Sequence, residues 1–127
     1  MAIVPSKSTP TPPPQSRVSV RIDLASGARI GPGKVVLLEE ISRHGSISAA
    51  GRALKMSYRR AWELVEDLNR HIGTPVVSTA AGGSGGGGAR LTPAGLAVVA
   101  TYRAVEASAN QAAEQPITTL LSAIEGP

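Results

Sequence analysis

The stretch GSISAAGRALKMSYRRAWELVEDLN, from Gly45 to Asn69, decides how the rest of the chain is read. Between Ser46 and Arg60 it carries Arg52, Lys55, Arg59 and Arg60 and no acid. It then places the chain's single Trp, Trp62, close to Tyr58, one of only two Tyr residues. Ser46 and Ser57 stand where helix N-caps belong, because a Ser oxygen can accept from the free N–H groups of a first turn. Ser46 precedes the short segment ISAAGRAL, whose small residues Ala49, Ala50 and Gly51 permit a close helix approach. Ser57 precedes YRRAWELVEDLNRHIG, in which Ala61, Leu64, Val65, Leu68 and Ile72 fall at helical spacing on one apolar stripe. Gly73 ends that helix.

Upstream, GPGKVVLLEEISRHG predicts a helix with Pro32 in its first turn and Gly45 as its left-handed stop. Val35, Leu38 and Ile41 form its inner face. Before it, RVSVRIDL alternates strictly. Val18, Val20, Ile22 and Leu24 point one way and Arg17, Ser19, Arg21 and Asp23 the other, which predicts a half-buried strand, a turn at ASGAR and a short return through ARI. Residues 1–16 hold five prolines and little to bury, and are expected to be a disordered Pro/Ser/Thr-rich tail.

Downstream, TPVVSTA reads as a strand and RLT as its return. The glycine run from Gly82 to Gly88 between them is expected to be a flexible hairpin loop. A phosphate-cradling loop is excluded there, because no Gly-Lys-Ser/Thr follows. Thr92 caps a further helix with Pro93 in its first position. It is expected to run to about Glu114, to show Val98, Tyr102, Val105 and Ala109 on one side, and to break at Pro116. ITTLLSAI then supplies a last amphipathic turn or two.

Composition narrows the function classes. The chain has 127 residues, which suits one domain with appendages. No Cys excludes disulfides, thiol catalysis and Cys-based metal sites. Hydrophobic content of 42% with 2% aromatics and no Phe predicts a small aliphatic core, and small cores favour dimerisation. No apolar run approaches the roughly 20 residues of a membrane span, and the N-terminus lacks an apolar signal core. A cytoplasmic location is expected. A net charge of +4 favours a polyanionic partner.

Two short helices joined by a tight turn and followed by a two-stranded hairpin spell an α+β winged helix-turn-helix. In that arrangement the second helix of the pair enters the DNA major groove. Arg59, Glu63, Glu66 and Arg70 point away from the apolar stripe, with Tyr58 and Trp62 on one flank and Arg60 on the other. Arg can take guanine O6 and N7 together, and Glu can accept from cytosine N4. Ser46, Ser57, Arg52, Lys55 and the wing's Arg90 suit phosphates. The bland readings are half-buried packing for Trp62 and an ordinary i, i+4 pair for Arg59 with Glu63. His44 and His71 sit near helix ends with no nucleophile or carboxylate pair evident beside them, which argues against an enzyme.

The Gly45–Asn69 stretch, followed by a strand, a Gly-rich wing and ARLTPAG, resembles the N-terminal DNA-binding domain of the ModE family over roughly residues 17–105. That family comprises molybdate-responsive bacterial repressors whose domain is akin to the LysR-type winged helix. The resemblance implies a homodimer held by the helix after the wing, control of molybdenum-related genes, and DNA contacts at Ser57, Tyr58, Arg59, Arg60, Trp62 and around Arg90. The expected organisation is a tail over 1–16, the winged domain over 17–92 and a helical dimerisation segment over 93–127, with Val98, Tyr102, Val105 and Ala109 at the interface. The partner is then double-stranded DNA with a palindromic operator. The 127 residues hold no counterpart of the C-terminal β-barrels in which the family binds molybdate, so molybdate enters by resemblance alone and no metal ligands are assigned. The alternatives are a winged-helix module that binds protein instead of DNA, and a small molybdate-binding protein.

Overall fold

The computed structural model describes residues 15–83 and 86–126, with side chains described outside 81–87. In chain order the elements are β1 (Ile22–Asp23), β2 (Arg29–Ile30), α1 (Pro32–His44), α2 (Ile47–Ala53), α3 (Tyr58–Ile72), β3 (Val77–Gly83), β4 (Gly86–Leu91) and α4 (Pro93–Glu125). Two antiparallel hairpins, β1–β2 and β3–β4, flank a helical body. The tail expected over 1–16 lies almost wholly outside the described residues.

The core is aliphatic, as the composition requires. Val35, Leu37, Leu38 and Ile41 of α1 meet Ile47 and Ala50 of α2, Ala61, Val65 and Leu68 of α3, and Val76, Val77 and Ala89 at the base of the second hairpin. Burying each of these larger aliphatic side chains is worth about 1.5–3 kcal/mol. The helix boundaries follow the local chemistry. Gly45 closes α1 at φ 74. The Ser46, Ser57 and Thr92 hydroxyls each accept from a backbone N–H three residues on.

Four expectations are corrected. The strand read over Arg17–Leu24 pairs only at Ile22 and Asp23, and Leu24 is exposed. The return strand offers only two residues, and α4 takes the backbone further upstream. The Asn110 side chain accepts from Val18 N–H at 2.9 Å and donates to Val18 O at 3.3 Å, and Tyr102 Oη donates to Val20 O at 2.8 Å. Second, the glycine run is not a free loop throughout. β3 reaches Gly83 and β4 starts at Gly86, with Ala80 opposite Gly88 and an irregularity between Ala80 and Gly83. Backbone pairing needs no side chains, so glycine does not prevent it; residues 84 and 85 are outside the described residues. Third, Pro116 does not end α4, which is continuous to Glu125. A proline removes one donor from the ladder, and the helix-forming residues on either side carry the helix across it.

The fourth concerns Tyr102. It is fully buried in its own chain and so faces inward, while Val98 packs partly against the same core and lines an open apolar groove with Leu24, Ala94 and Ala97. The division expected at 92/93 therefore cuts through packed structure. Arg103 ties the same part of α4 to α1, with Nε and Nη2 at 3.0 and 2.8 Å from the Glu39 carboxylate and Nη1 at 2.7 Å from Glu106. Of the four residues assigned to an interface, Val105 is exposed and Ala109 half-buried.

The start of α4 is seated by contact with the strand before it. A Cβ on Gly95 would lie 2.1 Å from Val76 O, while Thr92 N–H donates to that same carbonyl at 3.0 Å. Gly95→Ala is expected to cost about 3 kcal/mol, at the upper end for overpacking, read as a lowered denaturation midpoint; a wild-type midpoint would mean that α4 does not sit this close.

The Arg103 guanidinium, hydrogen-bonded to Glu39, holds that carboxyl below the usual carboxylate range. A depressed carboxylate stabilises the fold above its unfolded pKa, and the gain is lost as pH falls through the folded value. Glu39→Gln should therefore lower stability by roughly 1 kcal/mol at pH 7, the half-exposed pair being screened. In thermal melts the gap to wild type should close below about pH 4; a gap independent of pH would assign the loss to packing.

Candidate nucleic-acid interface

The turn between α2 and α3 is built on backbone. Met56 N–H returns to Gly51 O at 2.9 Å, and Lys55 takes the left-handed conformation at φ 59. A Cβ on Gly51 would stand 3.3 Å from Met56 O and 3.5 Å from Ala61 Cβ. Glycine there lets α2 press against the start of α3 and fixes the angle at which α3 is presented.

That presentation follows the stripe. Ala61, Val65 and Leu68 are buried, while Tyr58, Arg59, Arg60, Trp62 and Glu63 are all exposed. Trp62 is 45% exposed and Tyr58 56%, so Trp62 is about half covered, as the packing reading has it, while both rings keep a face open to solvent. Ser57 Oγ accepts from Arg60 N–H at 3.0 Å and keeps its own proton free to donate. Arg59 Nε lies 3.3 Å from Glu63 Oε2, with side chains 87% and 49% exposed. Such a surface pair is worth at most about 1 kcal/mol, so a stronger acceptor can take Arg59 from it.

Besides the packing of Val77 and Ala89 at its base, a backbone hydrogen bond ties the wing to the turn between α1 and α2. Ala89 N–H donates to Gly45 O at 2.8 Å, the carbonyl of the glycine that ends α1. A groove of about 270 Å³ results, with Ser46, Ser48, Tyr58 and Trp62 on one wall and Thr79, Ala80 and Gly88 on the other. Arg90 is exposed on β4 opposite Ser78. Ser46 is half-buried, its oxygen engaged with Ala49 N–H at 2.9 Å. Arg52 and Lys55 are exposed at the end of α2 and in the turn, and Arg52 Nη1 donates to Ser48 Oγ at 2.9 Å. Neither lines the wing groove.

On the other flank, Arg60 lines a second groove with Arg21, Arg29 and Lys34. The sequence reading had Arg21 on the outward face of a strand and did not connect it to the recognition helix. The alternation was the available signal, but only the fold brings β1–β2 beside α3. Lys34 Nζ is 2.7 Å from Asp67, which holds that carboxyl low.

Both histidines do have one carboxylate a turn back on their own helix: Glu40 lies 2.9 Å from His44 Nε2 and Asp67 3.3 Å from His71 Nδ1. Arg70 approaches the same Asp67 at 3.8 Å.

Residues 33–96 match the family described as bacterial regulatory helix-turn-helix protein, lysR family, and the chain belongs to it. Three relatives narrow the neighbourhood. The molybdenum-pterin-binding protein MopB of Rhodobacter capsulatus is 51% identical over 65% of this chain and 30% of its own length. The molybdenum transport protein ModE of Azotobacter vinelandii is 38% identical over 72% of this chain and 33% of its own. The DNA-binding transcriptional dual regulator ModE of Escherichia coli (strain K12) is 32% identical over 69% and 34%. The chain thus spans about a third of the length of the curated relatives it matches. Among solved structures, the CbnR DNA-binding domain in complex with DNA superposes with a TM-score of 0.55 at 17% identity, covering 69% of this chain and 95% of that one. That likeness establishes the winged helix-turn-helix fold.

Proposed function

We propose that this chain binds double-stranded DNA as a transcriptional regulator of the ModE type, as a cytoplasmic homodimer on a palindromic operator. The observation that carries the reading is the outward N-terminal half of α3, where Tyr58, Arg59, Arg60, Trp62 and Glu63 stand exposed beside the wing. Its relatives are named for DNA-binding dual regulation, molybdenum-pterin binding and molybdenum transport, which supports molybdenum-related genes as targets. In this reading α3 lies in the major groove, Arg59 leaves Glu63 for guanine O6 and N7, and Glu63 is freed to accept from cytosine. Ser46, Ser57, Arg52, Lys55 and Arg90 hold phosphates and fix the register.

An oxyanion held by protein needs several donors converging out of bulk water. Among the described residues no charged side chain is buried and the buried Tyr102 hydroxyl is spent on Val20 O, so their side chains do not form a molybdate cradle, and molybdate enters no step.

The dimer reading moves along α4. The helix has 33 residues, about 50 Å at 1.5 Å per residue. Its ties to the body end near Asn110. Beyond that point Leu120, Leu121 and Ile124 are exposed, and with the half-buried Ile117 they continue an apolar stripe beside which, among the described residues, only Gln15 and Ser16 of the segment before β1 stand. A second copy across a two-fold axis covers it and sets two copies of α3 about 34 Å apart, one helical turn of DNA.

Two experiments test these readings. Once a footprint of the protein on genomic DNA, with and without molybdate, has defined an operator, Arg59→Ala should cost about 1–3 kcal/mol there and relax sequence preference. Equal weakening on random DNA would reassign Arg59 to phosphate. Leu120→Glu with Ile124→Glu places like charges at the proposed axis. The variant should sediment as a folded monomer at micromolar concentration and bind the operator far more weakly, because the second half-site no longer contributes. A dimeric double variant, or a monomeric wild type, rejects this interface.

A further inference from the structure

Arg60 does not stand alone on its flank of α3. It lines a groove of about 390 Å³ with Arg21 of the segment entering β1, Arg29 of β2 and Lys34 of α1, and no carboxylate is among the lining residues. Met56 and Leu64 form its apolar floor, and Gly31 and Gly33 its edge. A Cβ on Gly33 would meet nothing within 4 Å, so that edge is open to an approaching group.

The four cations are not equally available. Lys34 is held by Asp67 at 2.7 Å and is 16% exposed. Arg21 is paired with Asp23 at 2.8 Å, both side chains 54% exposed. No ion pair is formed by Arg29 or Arg60 among the described residues, and both are exposed. Arg60 without an ion-pair contact, Arg29 across the strand pair from Asp23 but in no direct contact with it, and Arg21 in a solvent-screened pair with that same Asp23 thus converge on one trough. Like charges repel, and nothing in the core requires their convergence. The trough runs beside α3 on the side away from Trp62, whose own flank faces the wing groove.

We infer that the β1–β2 hairpin is a second backbone clamp, which grips the phosphates of duplex DNA on the Arg60 flank of α3 while the wing grips the opposite flank. This rests on the DNA-binding reading above and deepens it. A duplex seated on the exposed face of α3 brings a phosphate strand to each side of that helix. Arg29 and Arg21 meet one strand, through contacts that carry no sequence information.

The test is a salt titration of the full chain on a random-sequence duplex, read by fluorescence anisotropy. Each phosphate contact contributes about 0.9 to the slope of log K against log salt. Arg21→Ala with Arg29→Ala should flatten the slope by about 1.8, so the affinity lost between 50 and 200 mM salt becomes about tenfold smaller. Arg21→Lys with Arg29→Lys should retain the wild-type slope. If the alanine pair fails to fold by circular dichroism, Arg29→Ala alone should flatten the slope by about 0.9.

An unchanged slope in the alanine variant, against a wild type that binds steeply, overturns the clamp and leaves the α3 reading standing. Flattening in the lysine variant as well would trace the effect to lost packing and also overturn it. A wild type with no salt-dependent binding removes both readings together.

Discussion

The arrangement of this molecule depends on what is done with Gly45. Its positive φ turns the chain sharply at the end of α1, and a side chain at that φ would be strained. The turn puts Ser46 directly into the cap of α2. It also exposes the Gly45 carbonyl to one side, where the wing's Ala89 N–H finds it. One residue therefore stops a helix, lets the next one start, and fixes the hairpin that walls the groove beside Trp62. Both partners in that bond are backbone atoms, so the wing is held whatever side chains its tip carries.

A set of side-chain contacts does comparable work at the far side. Tyr102 and Asn110 of α4 grip the carbonyl of Val20 and both polar groups of Val18, and Arg103 grips Glu39. The segment before β1 is thus held against the long helix and not in a sheet. The same ties orient α4, and with it the apolar stripe that leaves the body near its end. The direction in which that stripe points is set by one tyrosine, one arginine and one asparagine.

The sequence was most legible where period and capping agreed. The stripe of α3, the caps at Ser46, Ser57 and Thr92, and the glycine stop at Gly45 all depend on contacts within a few residues, and all could be read locally. The exposed set on α3 followed from the stripe by subtraction. What could not be read depended on partners distant in the chain. The alternation through Val18 and Val20 was real, but it could not say that α4 would replace a neighbouring strand. Tyr102 belonged to an apolar row on α4, and only the fold shows that it faces inward. The glycines of the wing and Pro116 were judged by propensity, which ladder pairing in one case and helix continuity in the other override. The groove at Arg60 was invisible because its four cations come from four separate parts of the chain: the segment before β1, β2, α1 and α3.

The exposure of Trp62 has a practical side. It is the chain's only indole, and it sits at the wing groove and not in the core. Its ring keeps about half its surface open on the side of the groove, so its emission is placed to change when anything settles there. The molecule therefore carries a built-in optical reporter for whatever covers its recognition helix.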